Sequence, residues 1–308
     1  MYYFIVNPNA SRGRGGRIWR KMERWLRRSG LEYEMFMTEK TGDAGRFSAR
    51  LTESGLDGMV LVVVGGDGTL NEVVNGLSFR VQVTLGYIPA GTGNDLARSL
   101  KLPRSPRRCL KKVLNPKNVK LLDYGVLSYE CGEPVYRRFL ISSGIGLDAQ
   151  ACQKISEARL RHGGRLRVPA RLEYIVYGLW QLMTARPVNG YLILDGARRI
   201  EFNHIYFISA HIHPFEGGGF RFAPKADAAD GLLEICVMQP SARRKLLPIM
   251  ADALFGRVKC RHGVRSYTCR ELHIHVDAPM CVHVDGENCF SQSDIHLRCI
   301  GRKVRMLV

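Results

Sequence analysis

The sequence predicts an α/β N-terminal domain with a parallel sheet, followed by a mostly antiparallel β domain. Two observations carry this. Up to about residue 122, short aliphatic runs alternate with amphipathic helical stretches, the pattern of a parallel sheet with crossover helices. Beyond it, short alternating segments recur between turn residues, the pattern of antiparallel strands. At 308 residues the chain is long for one domain and ample for two. The expected division is 1–123, 124–295, and a C-terminal strand, 296–308, free to return to the first domain.

Taken in order, Tyr2–Val6 reads as a strand that runs into the loop Asn7-Pro8-Asn9-Ala10-Ser11-Arg12-Gly13 and then a helix. Ile18, Met22, Trp25 and Leu26 fall on one stripe of that helix, with arginines opposite. Glu32–Met37 reads as a second strand, followed by a Thr38–Ala44 loop and a helix to about Ser54. Met59–Val64 is a third strand, and Val83–Pro89 a fourth that ends in Gly91-Thr92-Gly93-Asn94-Asp95. The third strand leads into Gly65-Gly66-Asp67-Gly68-Thr69, with Thr69 expected at an N-cap and an apolar helical run after it. Strand, glycine turn and helix N-terminus together make a phosphate cradle: glycine lets backbone N–H groups come close, and the helix dipole favours the anion. Asp67 in such a place holds Mg²⁺, orients a hydroxyl, or caps the turn. Ligands of parallel sheets bind at the carboxyl ends of the strands, so the loops after Val6, Val64 and Pro89 are expected on one edge. In the second half, strands are expected at Gly125–Tyr129, Phe139–Ser143, Gly190–Leu194, His204–Ala210, Leu232–Met238, Glu271–Val276 and Met280–Val284. A helical interlude, about Ala149 to Arg186, carries Arg159, Arg161, Arg165, Arg167 and Arg171. A second basic helical stretch spans Arg243 to Arg265.

Composition narrows the class. A hydrophobic fraction of 45% and a charged fraction of 24% suit a globular protein. No apolar run approaches the roughly 18 residues of a membrane span. The start lacks the pattern of a signal peptide, so a cytoplasmic protein is expected. None of the nine cysteines forms a Cys-x-x-Cys pair, and Cys281 and Cys289 are the closest. Buried thiols without disulfides are expected, and zinc is not. His211/His213 and His273/His275 read as alternating strand residues, since no further ligands stand at useful spacing. The net charge of +18 points to a polyanionic partner: nucleic acid, an anionic membrane surface or a phosphorylated substrate.

The loops around Asn7-Pro8, Gly65–Val73 and Gly91–Arg98, in this order, resemble those of the diacylglycerol kinase catalytic family, which includes soluble bacterial lipid kinases and sphingosine kinases. The resemblance extends through Gly217-Gly218-Gly219, Pro224–Leu232 and Asp285-Gly286-Glu287, and so covers nearly the whole chain. It implies a C-terminal β-sandwich domain and a nucleotide held between the two domains. By that resemblance ATP phosphates meet Asn7, Pro8, Asn9, Ala10 and Ser11, and also Gly65, Gly66, Asp67, Gly68, Thr69, Leu70 and Asn71. Thr38 and Thr92 are further contacts. Mg²⁺ maps onto Asp227, Asp230 and the carbonyl of Leu232, and the general base onto Glu287 or Asp285. With the base in the β domain, Asp67 is expected to organise Mg²⁺ and phosphate. One departure stands in the first loop, where the family has Asn-Pro-x-Ser-Gly. Here the serine is shifted by one, and Arg12 stands in place of the glycine.

The implied activity is transfer of the ATP γ-phosphate to the hydroxyl of a membrane lipid. Diacylglycerol leads the acceptors, with sphingoid bases and phosphatidylglycerol as alternatives. The charge then serves docking of a peripheral enzyme on the inner membrane face, through either arginine-rich stretch. A nicotinamide nucleotide kinase shares the Gly-Gly-Asp-Gly-Thr turn but not the Gly91–Arg98 loop. A nucleic-acid-binding protein would use the charge alone, and aromatic-interleaved basic motifs for base stacking are missing. A homodimer is compatible with the sequence.

Overall fold

The computed structural model describes residues 1–55, 57–161, 186–258 and 262–308. The chain forms two compact units, Met1–Leu122 with Arg302–Val308, and Asp123–Gly301. The first is α/β with parallel strands. The second is a mostly antiparallel β-sandwich unit.

In the first unit β1 (Tyr2–Val6), β2 (Tyr33–Met37), β3 (Met59–Gly65) and β4 (Val83–Pro89) lie parallel in the order β2-β1-β3-β4. The last residues of the chain add a further parallel strand beside β4, Arg305 opposite Thr84 and Met306 opposite Leu85. The runs are apolar throughout because both sheet faces are covered. On one face Phe4, Val6, Val62, Val64 and Ile88 pack with Ile18, Trp19, Met22 and Leu26 of α1 (Ala10–Arg28) and with Cys109, Leu110 and Val113 of α5 (Pro106–Leu114). The α1 stripe is therefore turned from the expected one: Trp19 is buried, and Trp25 only partly so. The alternate strand residues Tyr3, Ile5, Leu61 and Val63 are buried too, on the side touched by α2 (Asp43–Glu53) and α3 (Asp67–Gly76). These two helices close against each other through glycine, since a Cβ on Gly76 would stand 2.1 Å from the Gly45 carbonyl oxygen. A short α4 (Asp95–Ser99) follows β4.

The second unit is built on β5 (Val119–Cys131), β6 (Glu133–Phe139), β7 (Ser142–Gly146), β8 (Val188–Leu194), β9 (Arg198–Ile205), β10 (Phe207–His211), β11 (Leu233–Met238) and β12 (Val264–Cys269). Two long strands, β13 (Glu271–Val284) and β14 (Glu287–Leu307), complete it. One path of neighbours runs β12-β11-β10-β7-β13-β14, β8 also pairs β13, and β9 and β6 pair β8 and β5. The segments expected at Glu271–Val276 and Met280–Val284 are one strand, interrupted in register between His275 and Met280. The segment expected at His204–Ala210 is the end of β9 and most of β10.

Of the expected helical interlude, α6 (Leu147–Arg161) is described, while Arg165, Arg167 and Arg171 lie outside the described residues. The stretch from Arg243 to Arg265 is not one helix. It comprises a 3₁₀ turn (Arg243–Lys245), the ten-residue α7 (Leu246–Phe255) and the start of β12. Leu246, Ile249 and Ala253 of α7 join Phe207, Phe222, Cys236 and Met238 in the core. Gly256, at φ 69°, ends the helix in the left-handed region. The eight cysteines among the described residues are all free thiols, and six of them are buried.

Candidate active site

In the first unit the register fixes where the loops leave. Val6 stands opposite Met37 and Val64, and Gly65 opposite Pro89, so the loops after β1, β2, β3 and β4 share one sheet edge. They are tied to one another there. Asn7 donates its backbone N–H to Val64 O (2.9 Å) and its side-chain amide to Thr69 Oγ1 (3.0 Å). Thr38 donates its N–H to Val6 O (2.9 Å), and Ala90 donates to Gly65 O (2.7 Å). The hydroxyls of Ser11 and Thr92 are 3.4 Å apart. Gly66 and Gly91 meet backbone to backbone: a Cβ on Gly91 would stand 2.5 Å from Gly66 Cα.

Helix α3 begins at Asp67, with Gly66 extended as its N-cap, so Thr69 is not the cap. Thr69 is buried in the first turn and accepts from Asn7 instead. The first-turn N–H groups of a helix have no intrahelical acceptor and point along its axis, which suits them to phosphate. Leu70 and Asn71 are buried, Leu70 among core residues and Asn71 accepting the Asn75 side-chain amide (3.0 Å). Pro8, Asn9 and Ala10 form the turn into α1, where Asn9 N–H donates to Asn7 Oδ1 (3.0 Å). Ser11, Arg12 and Gly13 then adopt left-handed conformations, φ 47°, 59° and 81°. Arg12, standing where the resembling family has glycine, thus keeps a backbone shape that glycine favours.

Asp67 reaches across to the β4 loop. Its carboxylate accepts the N–H of Asp95 (2.9 Å), and the Tyr87 hydroxyl lies 3.4 Å from Oδ1. Burial, then the Asp67 charge, push the Tyr87 phenol well above its ordinary pKa, so it stays a protonated donor. Sequence reasoning took only Thr92 from this loop. Asn94, at φ 49°, shapes it by donating to Gly91 O (2.8 Å), and Asp95 is buried and paired with Arg98. The signal was present, since asparagine tolerates the left-handed region better than most residues.

The Thr38 loop is held by Asp43, whose carboxylate accepts the N–H groups of Glu39 (2.9 Å) and Lys40 (3.0 Å) and pairs with Arg46. The Lys40 N–H leads in lowering its pKa from 3.8 to about 2, followed by Glu39 and Arg46. A depressed carboxylate stabilises the fold above its unfolded pKa, and that contribution is lost as pH falls through the folded value. Asp43→Asn is therefore expected to lower the thermal midpoint at neutral pH. The gap to the parent should narrow as pH falls from 3.8 toward 2, and a gap independent of pH would contradict this reading.

In the second unit Asp285 and Gly286 form a two-residue hairpin turn between β13 and β14, both at positive φ (48° and 85°), with Val284 paired to Glu287. The two acids part company here. The Asp285 carboxylate accepts the N–H groups of Leu140 (2.9 Å), Ile141 (2.8 Å) and Ser142 (3.1 Å), anchoring the turn to the start of β7. Glu287 opens β14, half-buried. Beneath the turn the buried His283 accepts the Gly286 N–H at Nδ1 (3.2 Å). Its Nε2 lies 3.1 Å from Asp148 Oδ2 and 3.2 Å from Glu216 Oε1. These three groups are close enough to hold a metal ion. However, accepting at Nδ1 leaves the ring proton on Nε2, the atom that would have to ligate, so the cluster fits a shared proton better than a cation. Gly144 makes room for it, as a Cβ there would stand 2.2 Å from Asp148 Oδ2. Sequence spacing gave no sign of this group, whose members come from three distant segments. Of the paired histidines, His211 meets Ser209 and Glu216, and His273 and His275 face Asp294.

Asp227 and Asp230 lie in the turn before β11. Each gives one carboxylate oxygen to a backbone N–H of its own turn, from Ala229 (3.1 Å) and Leu232 (2.9 Å). The buried Asp123, which sequence reasoning passed over, grips the turn by accepting Gly231 N–H (2.7 Å) and donating its own N–H to Ala228 O (2.7 Å). Partial burial raises the Asp230 pKa, against the Leu232 N–H, and the charges of Asp227 and Asp123 add to the rise. Carboxylate oxygens are the hard donors that Mg²⁺ takes, but among the described residues these three are not gathered closely enough to form a ligand cluster by themselves.

A parallel α/β unit with glycine loops tied together at one sheet edge, beside a helix N-terminus, suits a phosphate ligand, as the resemblance of these loops implies. Residues 1–125 match the diacylglycerol kinase catalytic domain. Residues 141–308 match the YegS C-terminal NAD kinase beta sandwich-like domain. A diacylglycerol kinase of Staphylococcus saprophyticus is 42% identical over 269 residues, covering 85% of this chain and 80% of the relative. A diacylglycerol kinase of Mycobacterium tuberculosis is 27% identical over 284 residues, covering 92% and 87%. A crystal structure of a diacylglycerol kinase from Bacillus anthracis superposes with a TM-score of 0.73 at 21% identity, over 99% of this chain and 96% of that one. The chain belongs to the diacylglycerol kinase catalytic-domain family. It is an ATP-dependent kinase of the lipid-kinase type.

Proposed function

We propose that the chain transfers the γ-phosphate of ATP to the hydroxyl of a membrane lipid, foremost diacylglycerol, giving phosphatidic acid. The observation that supports this most is the seam of Gly66 on Gly91. It brings two glycine loops and a helix N-terminus together without side chains between them, as close approach to a polyphosphate requires. Relatives named diacylglycerol kinase supply the acceptor.

In this reading Asn7–Ser11, Thr38, Gly65–Asn71 and Thr92 receive the nucleotide phosphates. Asp67 keeps the loops in register by holding the Asp95 N–H. Asp227, Asp230 and the Leu232 carbonyl would hold Mg²⁺, whose chemistry is to offset phosphate charge. Glu287 accepts the proton of the lipid hydroxyl as the oxygen attacks phosphorus, since a neutral alcohol is a poor nucleophile. Asp285 is assigned the anchoring of that turn, because its oxygens already accept three backbone N–H groups. The enzyme works from the cytoplasm on the inner membrane face, with no role for nucleic acid.

The test is ATP turnover by the purified protein over a panel of lipid alcohols in mixed micelles with Mg²⁺. Diacylglycerol is expected to turn over fastest. Preference for a sphingoid base or phosphatidylglycerol would move the acceptor within the same class. A dinucleotide phosphorylated in place of every lipid would sink the reading.

A further inference from the structure

Helix α7 has an outer face that no globular surface calls for. Its inner side, Leu246, Ile249 and Ala253, is in the core. Its outer side carries Leu247 (45% exposed), Leu254 (37%) and Phe255 (70%), with Pro248 and Ala251 also exposed. At about 100° per residue these five cover an arc of roughly 120°, opposite the buried stripe. Surface helices ordinarily put charged residues there, yet the single charge on α7 is Asp252, which is half-buried.

Cations gather at both ends of this apolar strip. Arg243, Arg244 and Lys245, all exposed, immediately precede the helix. Helix stability does not explain them, because the dipole disfavours positive charge at an N-terminus. At the other end Arg257 lies 5.9 Å over the Phe255 ring, and the Arg221 side chain rests against Gly256. Arg221 and Arg257 are exposed as well. An apolar strip about 15 Å long between two groups of cations has the form of an interfacial helix. Its apolar residues enter the acyl boundary while the cations meet anionic headgroups.

We propose that α7, with Arg243, Arg244, Lys245, Arg221 and Arg257, is the face by which this protein docks on an anionic membrane. The proposal deepens the lipid-kinase reading and rests on it for its biological sense, but docking is measurable without turnover. Charge complementarity selects the occupant. A second copy of the chain would bring the same five cations against themselves, whereas an anionic bilayer accepts both the cations and the apolar strip.

The experiment is co-sedimentation of the full chain, without ATP, with vesicles of phosphatidylcholine alone or mixed with phosphatidylglycerol. The parent is expected to bind the mixed vesicles, more weakly as salt rises, and to leave the neutral ones. Leu254→Ser with Phe255→Ser should lower vesicle affinity about tenfold or more. Converting Arg243, Arg244 and Lys245 to glutamine should lower it roughly a hundredfold. Both sets lie on the surface and should leave phosphorylation of a short-chain lipid alcohol dispersed in detergent unchanged. Parent-like vesicle binding by both variants, or no binding by the parent, overturns the proposal. So does a dimeric parent that becomes monomeric in the serine variant by light scattering. Vesicle binding with no lipid phosphorylated would instead fault the kinase reading and leave the docking face standing.

Discussion

Glu287→Gln is expected to lower kcat for lipid phosphorylation by about two to four orders of magnitude, with KM for ATP within roughly twofold of the parent. The substitution keeps the side chain's shape and removes its charge and its ability to take a proton. The turn that presents the side chain is held by other groups: Asp285 on three backbone N–H groups and His283 on Gly286 N–H. Position is therefore conserved while chemistry is lost. Asp285→Ala provides the contrast. It strips the acceptor from three N–H groups, so it should destabilise the second unit by about 1–3 kcal/mol as well as slow turnover. If Glu287→Gln turns over like the parent, the proton is taken elsewhere. That result would refute the assignment even if lipid kinase activity is intact.

These two carboxylates also show how far the sequence could be read. Asp-Gly between alternating segments announces a hairpin, and the hairpin is there. Which of the two flanking acids is committed to the backbone could not be known, because the N–H groups that occupy Asp285 belong to residues 140–142. The same divide runs through the chain. Parallel strands, the shared edge of their loops and the glycine turns followed from local pattern. The α1 stripe came out rotated because Trp19 and Trp25 both fit an apolar periodicity, and only packing against Phe4 and Tyr33 selects Trp19. Thr69 looked like an N-cap because threonine commonly is one; here Gly66 fills that place and Thr69 is turned toward Asn7. Asp148, Glu216 and His283 could not be gathered from spacing, since nothing local brings three distant segments together. The outer face of α7 was visible in part. The stretch was expected as one of two membrane faces, but only burial separates Leu246 and Ile249, which face the core, from Leu247 and Phe255, which face outward.

Gly91→Ala is expected to damage both the stability of the first unit and its hold on nucleotide. Gly91 does not stand in the left-handed region, so alanine meets no backbone strain there. What it meets is Gly66 Cα at 2.5 Å and Asn94 Oδ1 at 2.9 Å. Backbone cannot swing aside as a flexible side chain can, so the β3 and β4 loops must separate. That movement disturbs the two bonds accepted by Gly65 O from Ala90 and Gly91, and the Asp67 hold on Asp95. A methyl forced into a packed site costs about 1–3 kcal/mol in stability. Nucleotide affinity is expected to fall about tenfold or more, equivalent to roughly 1.4 kcal/mol. Gly16→Ala is the matched control on the same sheet edge. Its Cβ would lie 3.4 Å from Pro8 O, an ordinary contact, within α1. Alanine in a helix is favoured over glycine by about 1 kcal/mol, so the control should be neutral or slightly stabilising. Thermal denaturation and ATP titration of the two variants decide the matter. A Gly91→Ala protein that binds ATP like the parent would mean that the seam between the loops does not shape the phosphate site.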